Sequence, residues 1–452
     1  MTPPETRVPS RTLERLRQIV KAGVSSVPVV RELTYEPVGS DGLPIVEAPH
    51  QAPPFPGATD IETPYGIASL VERSYEPDAY HGGVRIGTAA VFAPETLQTL
   101  AGRTVAVPVG ATRSPLFFDL ETTGLHGGAG TIAFLVGMGF FDERGAFQTR
   151  QFFLRGFGNE RAMLHAVAAH IEGIPLVVTY NGGSFDLPLM ETRWLFHRMP
   201  PAFEGRPHFD MLVTARRLWK AAQDEEARSC RLVALEDVLI GNRRVGDVPG
   251  FEIPQRYFDF VRSGDPAPLE PVLEHNRLDL LSTALLFGRA QQLVQQGPAG
   301  ASDAYECLSL ARLHERCGAV ELADEAYRAA LEHPLADRAA RERAWYGLAI
   351  LQRRRRRHED AAASWRELLL VVDRRSRLAA EAIEALAIYH EHRARNLRTA
   401  RALAHKALAG ERDPKKREAF EHRLARLDRK LELARGDQAL ADTVTTPLPW
   451  GE

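Results

Sequence analysis

The sequence predicts an α/β fold, a mixed sheet of antiparallel and parallel strands flanked by helices, followed by an all-α helical-repeat region. Three observations predict it. Residues 115–155 hold three apolar, strand-like runs joined by short links; helical and strand patterns then alternate as far as residue 222; and strand signals nearly vanish beyond residue 303. The three runs are LFFDL, TIAFLVGMGFF and AFQTRQFFL, and the links GLHGGAG and DERGA carry the glycines that hairpin connections need. Residues 160–172 then place Met163, Leu164, Val167 and Ile171 on one helical face. Residues 175–180 read as a short buried strand, 187–198 as a helix, 208–211 as a strand and 212–222 as a helix. A meander followed by βα crossovers makes a mixed sheet, and in such sheets strand ends and their loops supply functional groups.

Length and composition limit the function classes. With 452 residues the chain has room for two or three domains, and 44% hydrophobic with 26% charged residues is the balance of a soluble globular protein. The net charge of −2 gives no overall basic character, but residues 341–430 carry 24 Lys and Arg against 13 Asp and Glu, a local excess of +11. Cys230, Cys307 and Cys317 show neither metal-ligand spacing nor a disulfide framework, which fits a reducing compartment. The N-terminus lacks an apolar signal core and no apolar run is long enough to span a bilayer, so a cytoplasmic location is expected. Residues 1–60 are rich in proline and polar residues and read as a mostly disordered arm, with one short amphipathic piece at 13–22. Residues 61–110 gain β character as an N-terminal extension, and His81 there is expected to be structural.

Acidic residues supply the chemistry. In LFFDLETTGL, residues 116–125, Asp119 and Glu121 are two apart and project from the same face of a strand. Two neighbouring buried carboxylates repel, at a cost of several kcal/mol, unless a positive group such as a divalent metal lies between them. Alternatively, they are two solvated acids at a strand end. A second acid, Asp186, follows the fourth strand in YNGGSFDLPLM. There Asn181, Gly182 and Gly183 form a tight turn, Ser184 is the expected helix cap, and Asp186 falls in the first helical turn. The third position is VLEHNRLDLLSTALLF, in which His275 and Asp279 share a helix face and Leu278, Leu281 and Leu285 bury the helix. Asp210 reads as a helix N-terminal acid. Arg216, Arg217 and Lys220 read as a basic face that could touch phosphates, and Gly246, Asp247 and Pro249 as a turn.

Taken together these pieces resemble the DEDD family of 3′–5′ exonucleases, which have an RNase H-like fold. Asp119 and Glu121 match the family's first motif; Asn181, Phe185 and Asp186 match its second; His275 and Asp279 match its third. The family's tyrosine branch has Tyr four residues before the last Asp and its histidine branch has His five before, so His275 stands at the tyrosine spacing. ETPYG at 62–66, DMLVTARRLWK at 210–220, GDVPGFEIP at 246–254 and HNRLD at 275–279 are similar to the YprB-like group of such proteins. The resemblance covers residues 111–295. It implies a metal-dependent exonuclease acting on single-stranded DNA or RNA with two divalent cations, Mg or Mn. Asp119 would bridge both ions, Glu121 and Asp279 would complete one site, Asp186 would hold the other, and His275 would orient the attacking water. An inactive RNase H-like scaffold and a structure-specific endonuclease are the alternatives.

An internal repeat marks residues 303–430. Ala323, Tyr327 and Leu331 align with Ala361, Trp365 and Leu369, then with Ala400, Ala404 and Leu408, at offsets of 38 and 39 residues. Small and large residues at helical spacing are marks of tetratricopeptide-like hairpins, which stack into surfaces that bind proteins. The arginine run at 353–357 reads as a solvated face, or else as a surface that tracks phosphates. Residues 437–452 read as a disordered tail.

Overall fold

A computed structural model describes residues 56–108, 113–124, 130–220 and 229–444. The strands follow the sequence pattern closely. β1 (Ala58–Thr63) and β2 (Gly66–Tyr75) form a hairpin, β3 (Tyr80–His81) and β4 (Val84–Arg85) a second, small one. The meander is β5 (Leu116–Thr122), β6 (Ala133–Phe141) and β7 (Phe147–Phe153), and β8 (Val177–Thr179) and β9 (His208–Asp210) follow through helical crossovers. Seven of these strands make one sheet in the order β1-β2-β7-β6-β5-β8-β9. β5 lies inside it, antiparallel to β6 and parallel to β8. The mixed sheet expected from the sequence is present, and β1 and β2 extend that same sheet through β7.

Alternation along β5 decides what each face of the sheet carries. Leu116, Phe118 and Leu120 join one core with α1 (Glu160–Ile171) and α2 (Asp186–Phe196), which supply Met163, Leu164, Val167, Leu189, Met190 and Trp194. Phe117 points the other way and meets Phe287 of the long helix α3 (Glu270–Gln296), ring centroids 5.7 Å apart. Asp119 and Glu121 have the parity of Phe117, so they face that same helix. Leu281 and Leu285 bury α3 against this side, with Phe209 and the helix α4 (Met211–Leu218) beside it. His81 is indeed structural: it is buried, with Nε2 2.9 Å from Glu236 Oε1 and 3.2 Å from Ser282 Oγ.

Beyond α3 the chain is helical. α5 (Ala304–Arg316) and α6 (Val320–Glu332), α7 (Arg338–Arg354) and α8 (His358–Val371), and α9 (Arg377–His392) and α10 (Leu397–Gly410) pack as successive antiparallel pairs, followed by α11 (Pro414–Val444). Ala323, Tyr327, Ala361, Trp365, Ala400 and Ala404 of the repeat pattern are buried at the helix interfaces.

Several expectations need correction or fall outside the described residues. Helix α2 begins at Asp186 without a side-chain cap, and the Ser184 hydroxyl instead donates to the Asn181 carbonyl, because the left-handed Asn181 (φ 70°) turns the chain one step earlier. Strand β1 begins inside the stretch read as a disordered arm, and α11 runs into the stretch read as a disordered tail. The amphipathic piece at 13–22 lies outside the described residues. Part of the arginine run is committed within the fold: Arg354 pairs with Glu315, and Arg357 with Asp324 and Asp360. Among the described residues no helix is long and apolar enough to cross a membrane.

Candidate active site

The end of β5, the β8–α2 turn and the middle of α3 bring the expected acids within electrostatic reach of one another. Asp119 and Glu121 keep some accessible surface, yet their carboxylates are desolvated. Burial first, and then the charges of Asp279 and Asp186, hold the Asp119 carboxyl well above its ordinary range. Burial, followed by Asp119, Asp279, Asp186 and Asp247, does the same to Glu121. Asp186 is buried and pushed up to about 7, by burial and then by Asp210. Asp210 itself caps α4, accepting from the backbone amides of Leu212 at 3.0 Å and Asn181 at 2.9 Å. A side chain at Gly182 would stand 2.5 Å from Asp186 Oδ2, so the absence of a Cβ there makes room for that carboxylate.

A row across the sheet seats Asp119. Gln151, Gly137 and Asp119 are register partners on β7, β6 and β5. With glycine in the middle the row has a notch, and Asn276 of α3 fills it. Its Nδ2 donates to Asp119 Oδ2 at 2.8 Å, and its Oδ1 accepts from Gln151 Nε2 at 2.8 Å. A Cβ on Gly137 would lie 2.2 Å from Asn276 Oδ1. Neither Gln151 nor Gly137 is marked by the sequence pattern; Asn276 lies within the HNRLD stretch but carries no signal of its own.

His275 stands between two acids. Its Nδ1 is 2.6 Å from Asp247 Oδ1, and its Nε2 is 3.9 Å from Asp279 Oδ2. A carboxylate at Nδ1 favours the tautomer with the proton on that nitrogen, which leaves Nε2 as an acceptor on the Asp279 side. Asp247, read from sequence only as part of a turn, is thus the partner that orients His275. Burial alone would raise Asp247, but the His275 hydrogen bond and charge, and then Arg244, outweigh it and hold it below its ordinary value.

Arg244 is the group that sequence reasoning missed altogether. Only 2% of its side chain is exposed, yet it faces three carboxylates: Glu236 Oε2 at 2.7 Å, Asp247 Oδ2 at 3.3 Å and Asp279 Oδ1 at 2.6 Å. The contact with Asp279 is close but out of line for a hydrogen bond, and Asp279 Oδ1 remains buried without one. Burial works against the Arg244 charge, while Asp279 and Glu236 outweigh it and reinforce that charge.

The donor set suits a hard divalent cation: four carboxylates, two of them kept high by burial and then by mutual repulsion, and one buried oxygen without a hydrogen bond. It is not a closed cage, since among the described residues no three His, Cys, Asp or Glu side chains converge tightly enough to hold a metal ion. A cavity of about 960 Å³ lies elsewhere, beside Arg113, Met138, Phe140, Arg150 and His170, and none of the four acids lines it.

The sheet order, with an acid-bearing inner strand covered by α3, is that of an RNase H-like domain, and residues 116–291 match the family model RNase_H_2 of the RNase H superfamily. Within it, the chain belongs to the family of the uncharacterized protein YprB of Bacillus subtilis (strain 168): the two are 32% identical over 321 residues, 70% of this chain and 74% of the relative. Among solved structures, the family B DNA polymerase from the hyperthermophilic archaeon Pyrobaculum calidifontis is similar over 64% of this chain, at 14% identity and a TM-score of 0.32. The chain spans 34% of that polymerase, and a likeness so distant carries no argument about activity.

Proposed function

We propose that this protein is a metal-dependent nuclease of the DEDD type that removes nucleotides from the 3′ end of single-stranded nucleic acid. The observation that carries the reading is the set of desolvated, mutually repelling carboxylates Asp119, Glu121 and Asp186 beside Asp279, next to a histidine already aligned by a fifth acid, Asp247. Two Mg²⁺ or Mn²⁺ ions held by Asp119, Glu121, Asp186 and Asp279 would supply positive charge at the attacking and leaving oxygens of a phosphodiester. The chain does the rest. Asn276 holds Asp119 in place, and Arg244 shares the charge of Asp279. Asp247 keeps the His275 proton on Nδ1, so that Nε2 can take a proton from the attacking water. The paired helices from residue 304 onward are, in the same reading, tetratricopeptide-like repeats that offer a surface to a protein partner, and Cys230, Cys307 and Cys317, none of them in a disulfide, support a reducing, cytoplasmic location.

Asp119→Asn tests this. With Mn²⁺ or Mg²⁺ and 5′-labelled single-stranded DNA or RNA, the native protein should give a ladder of products shortened from the 3′ end, and the variant none. The variant should also melt higher than the native protein at neutral pH without metal. An acid raised by folding contributes stability at low pH that is lost as pH climbs past its unfolded value, and the amide escapes that loss. Divalent cation should raise the melting temperature of the native protein alone, by an amount corresponding to about 2.7 kcal/mol at a hundredfold excess over Kd. Equal hydrolysis by the variant would defeat the reading, and internal cuts would reassign it as an endonuclease. One observation favours an inactive scaffold, namely that Arg244 already answers Asp279; silence with both metals and both nucleic acids would establish that alternative.

A further inference from the structure

Away from the acids, α4 of the sheet domain and α5 of the helical region enclose a cleft of about 440 Å³. Arg216, Arg217 and Lys220 line it from one side, Arg312 and Arg316 from the other, and no acidic side chain among the described residues does so. None of the five cations makes an ion pair with an acid among the described residues, in contrast to Arg354 and Arg357 of the arginine run. Burial, then the charges of Arg316 and Arg103, holds Arg217 below its ordinary value, as expected of cations packed against one another. The helix ends nearby contribute about half a negative charge each, far less than five positive ones. The Ser309 hydroxyl in the cleft wall is fully buried and has no hydrogen-bond partner. A buried donor left without an acceptor costs about 1–3 kcal/mol, so it too calls for an anion or a water.

Two further features make the cleft a built site rather than a chance meeting of side chains. Its walls are locked together: Trp219 Nε1 donates to Glu306 Oε1 at 3.0 Å, and Arg289 Nη2 meets Glu306 Oε2 at 2.6 Å, with Trp219 and Glu306 both buried. It also lies close to the acids. Asp210, which lifts Asp186, is the cap of α4, and Arg216 follows six residues later, about 9 Å along the helix.

We propose that this cleft binds the phosphate backbone of a nucleic acid strand, tying the helical region to the strand whose end enters the acidic site. The proposal rests on the nucleic-acid reading above and deepens it by assigning the surface that holds the strand. Because phosphates are common to DNA and RNA, both should bind.

The test is a salt titration of binding, followed by fluorescence anisotropy, with the full chain in chelator so that no hydrolysis intervenes. The probes are fluorescein-labelled single-stranded DNA and RNA. Arg216, Arg312 and Arg316 are exposed, so the triple variant Arg216→Gln, Arg312→Gln, Arg316→Gln should fold, which its melting temperature will verify. Losing three phosphate contacts should flatten the slope of log K against log salt by about 2 and weaken binding by roughly fiftyfold near 0.15 M salt. The single variant Arg316→Gln should produce about a third of that slope change. Strand binding that follows this pattern, with or without cleavage by the native protein under metal, supports the cleft assignment. Native binding left unchanged by the substitutions overturns the cleft alone. No strand binding by the native protein overturns the cleft, and the nuclease reading falls with it only where the native protein is also silent in the hydrolysis assay with metal. Polyglutamate binding lost in parallel would reassign the cleft to an acidic protein, and displacement of the strand by inorganic phosphate at equimolar level would reassign it to a free anion.

Discussion

Replacing Arg244 with methionine should be among the most damaging single changes to the fold. The side chain is 2% exposed and contacts Glu236, Asp247 and Asp279 at 2.7, 3.3 and 2.6 Å. Methionine fills much of the volume but leaves Glu236, which has no exposed side-chain surface, with His81 and Asn242 as its remaining side-chain partners among the described residues. It also removes the guanidinium that faces Asp279 and Asp247 together. Breaking a buried charge network from one side costs about 3–5 kcal/mol. At about 2–4 °C per kcal/mol for a domain of this size, the melting temperature should fall on the order of 10 °C. Thermal unfolding and urea titration of the full chain would measure it. Arg244→Lys should recover only part, since a single ammonium cannot present the guanidinium fork to three carboxylates. A loss below about 1 kcal/mol, or full recovery with lysine, would show that Arg244 is not the electrostatic centre of this region.

Two more outcomes follow from particular contacts. Gly137→Ala should push Asn276 out of its notch, because the new Cβ would lie 2.2 Å from Asn276 Oδ1. The cost should be about 2–5 kcal/mol from overpacking and two lost buried hydrogen bonds, and hydrolysis should fall with it; a variant as stable and active as the native chain would refute the seating of Asp119. At the other end of the molecule, Glu391 is buried and meets Arg423 at 3.0 Å, Arg426 at 2.8 Å and Lys430 at 3.0 Å. Burial alone would raise this carboxyl, but the hydrogen bonds from Arg426 and Lys430 outweigh it and bring it down to about 2. Its contribution is therefore complete above the ordinary glutamate range and is lost as pH falls toward 2. Screening at the exposed ends of Arg426 and Lys430 trims the gain to roughly 1–3 kcal/mol. Glu391→Gln should loosen α11, read as faster amide hydrogen exchange over residues 414–434 at neutral pH and a smaller difference at pH 3; unchanged exchange would refute the clamp.

Local periodicity accounts for what could be read without a structure. The two-residue repeat of LFFDLET put Asp119 and Glu121 on the Phe117 side, and the fold keeps that side toward the long helix. The four-residue spacing of His275 and Asp279 likewise holds, with Nε2 3.9 Å from Oδ2. The meander, the crossovers and the helical pairs of the C-terminal region were all legible, since each is encoded in neighbouring residues. Other features depend on register and packing between distant segments, and no local pattern records those. Gly137 matters because it falls between Gln151 and Asp119 in the sheet, and Asn276 because α3 crosses the sheet at that row. Arg244 and Asp247 acquire their roles only when their loop folds against α3. The sequence alone thus determined the sheet, its covering helices and the acids at its centre. Tertiary structure decided which cation answers Asp279, which carboxylate turns His275, and which cations line the seam between α4 and α5, because charges separated along the chain meet only once the core has brought their elements together.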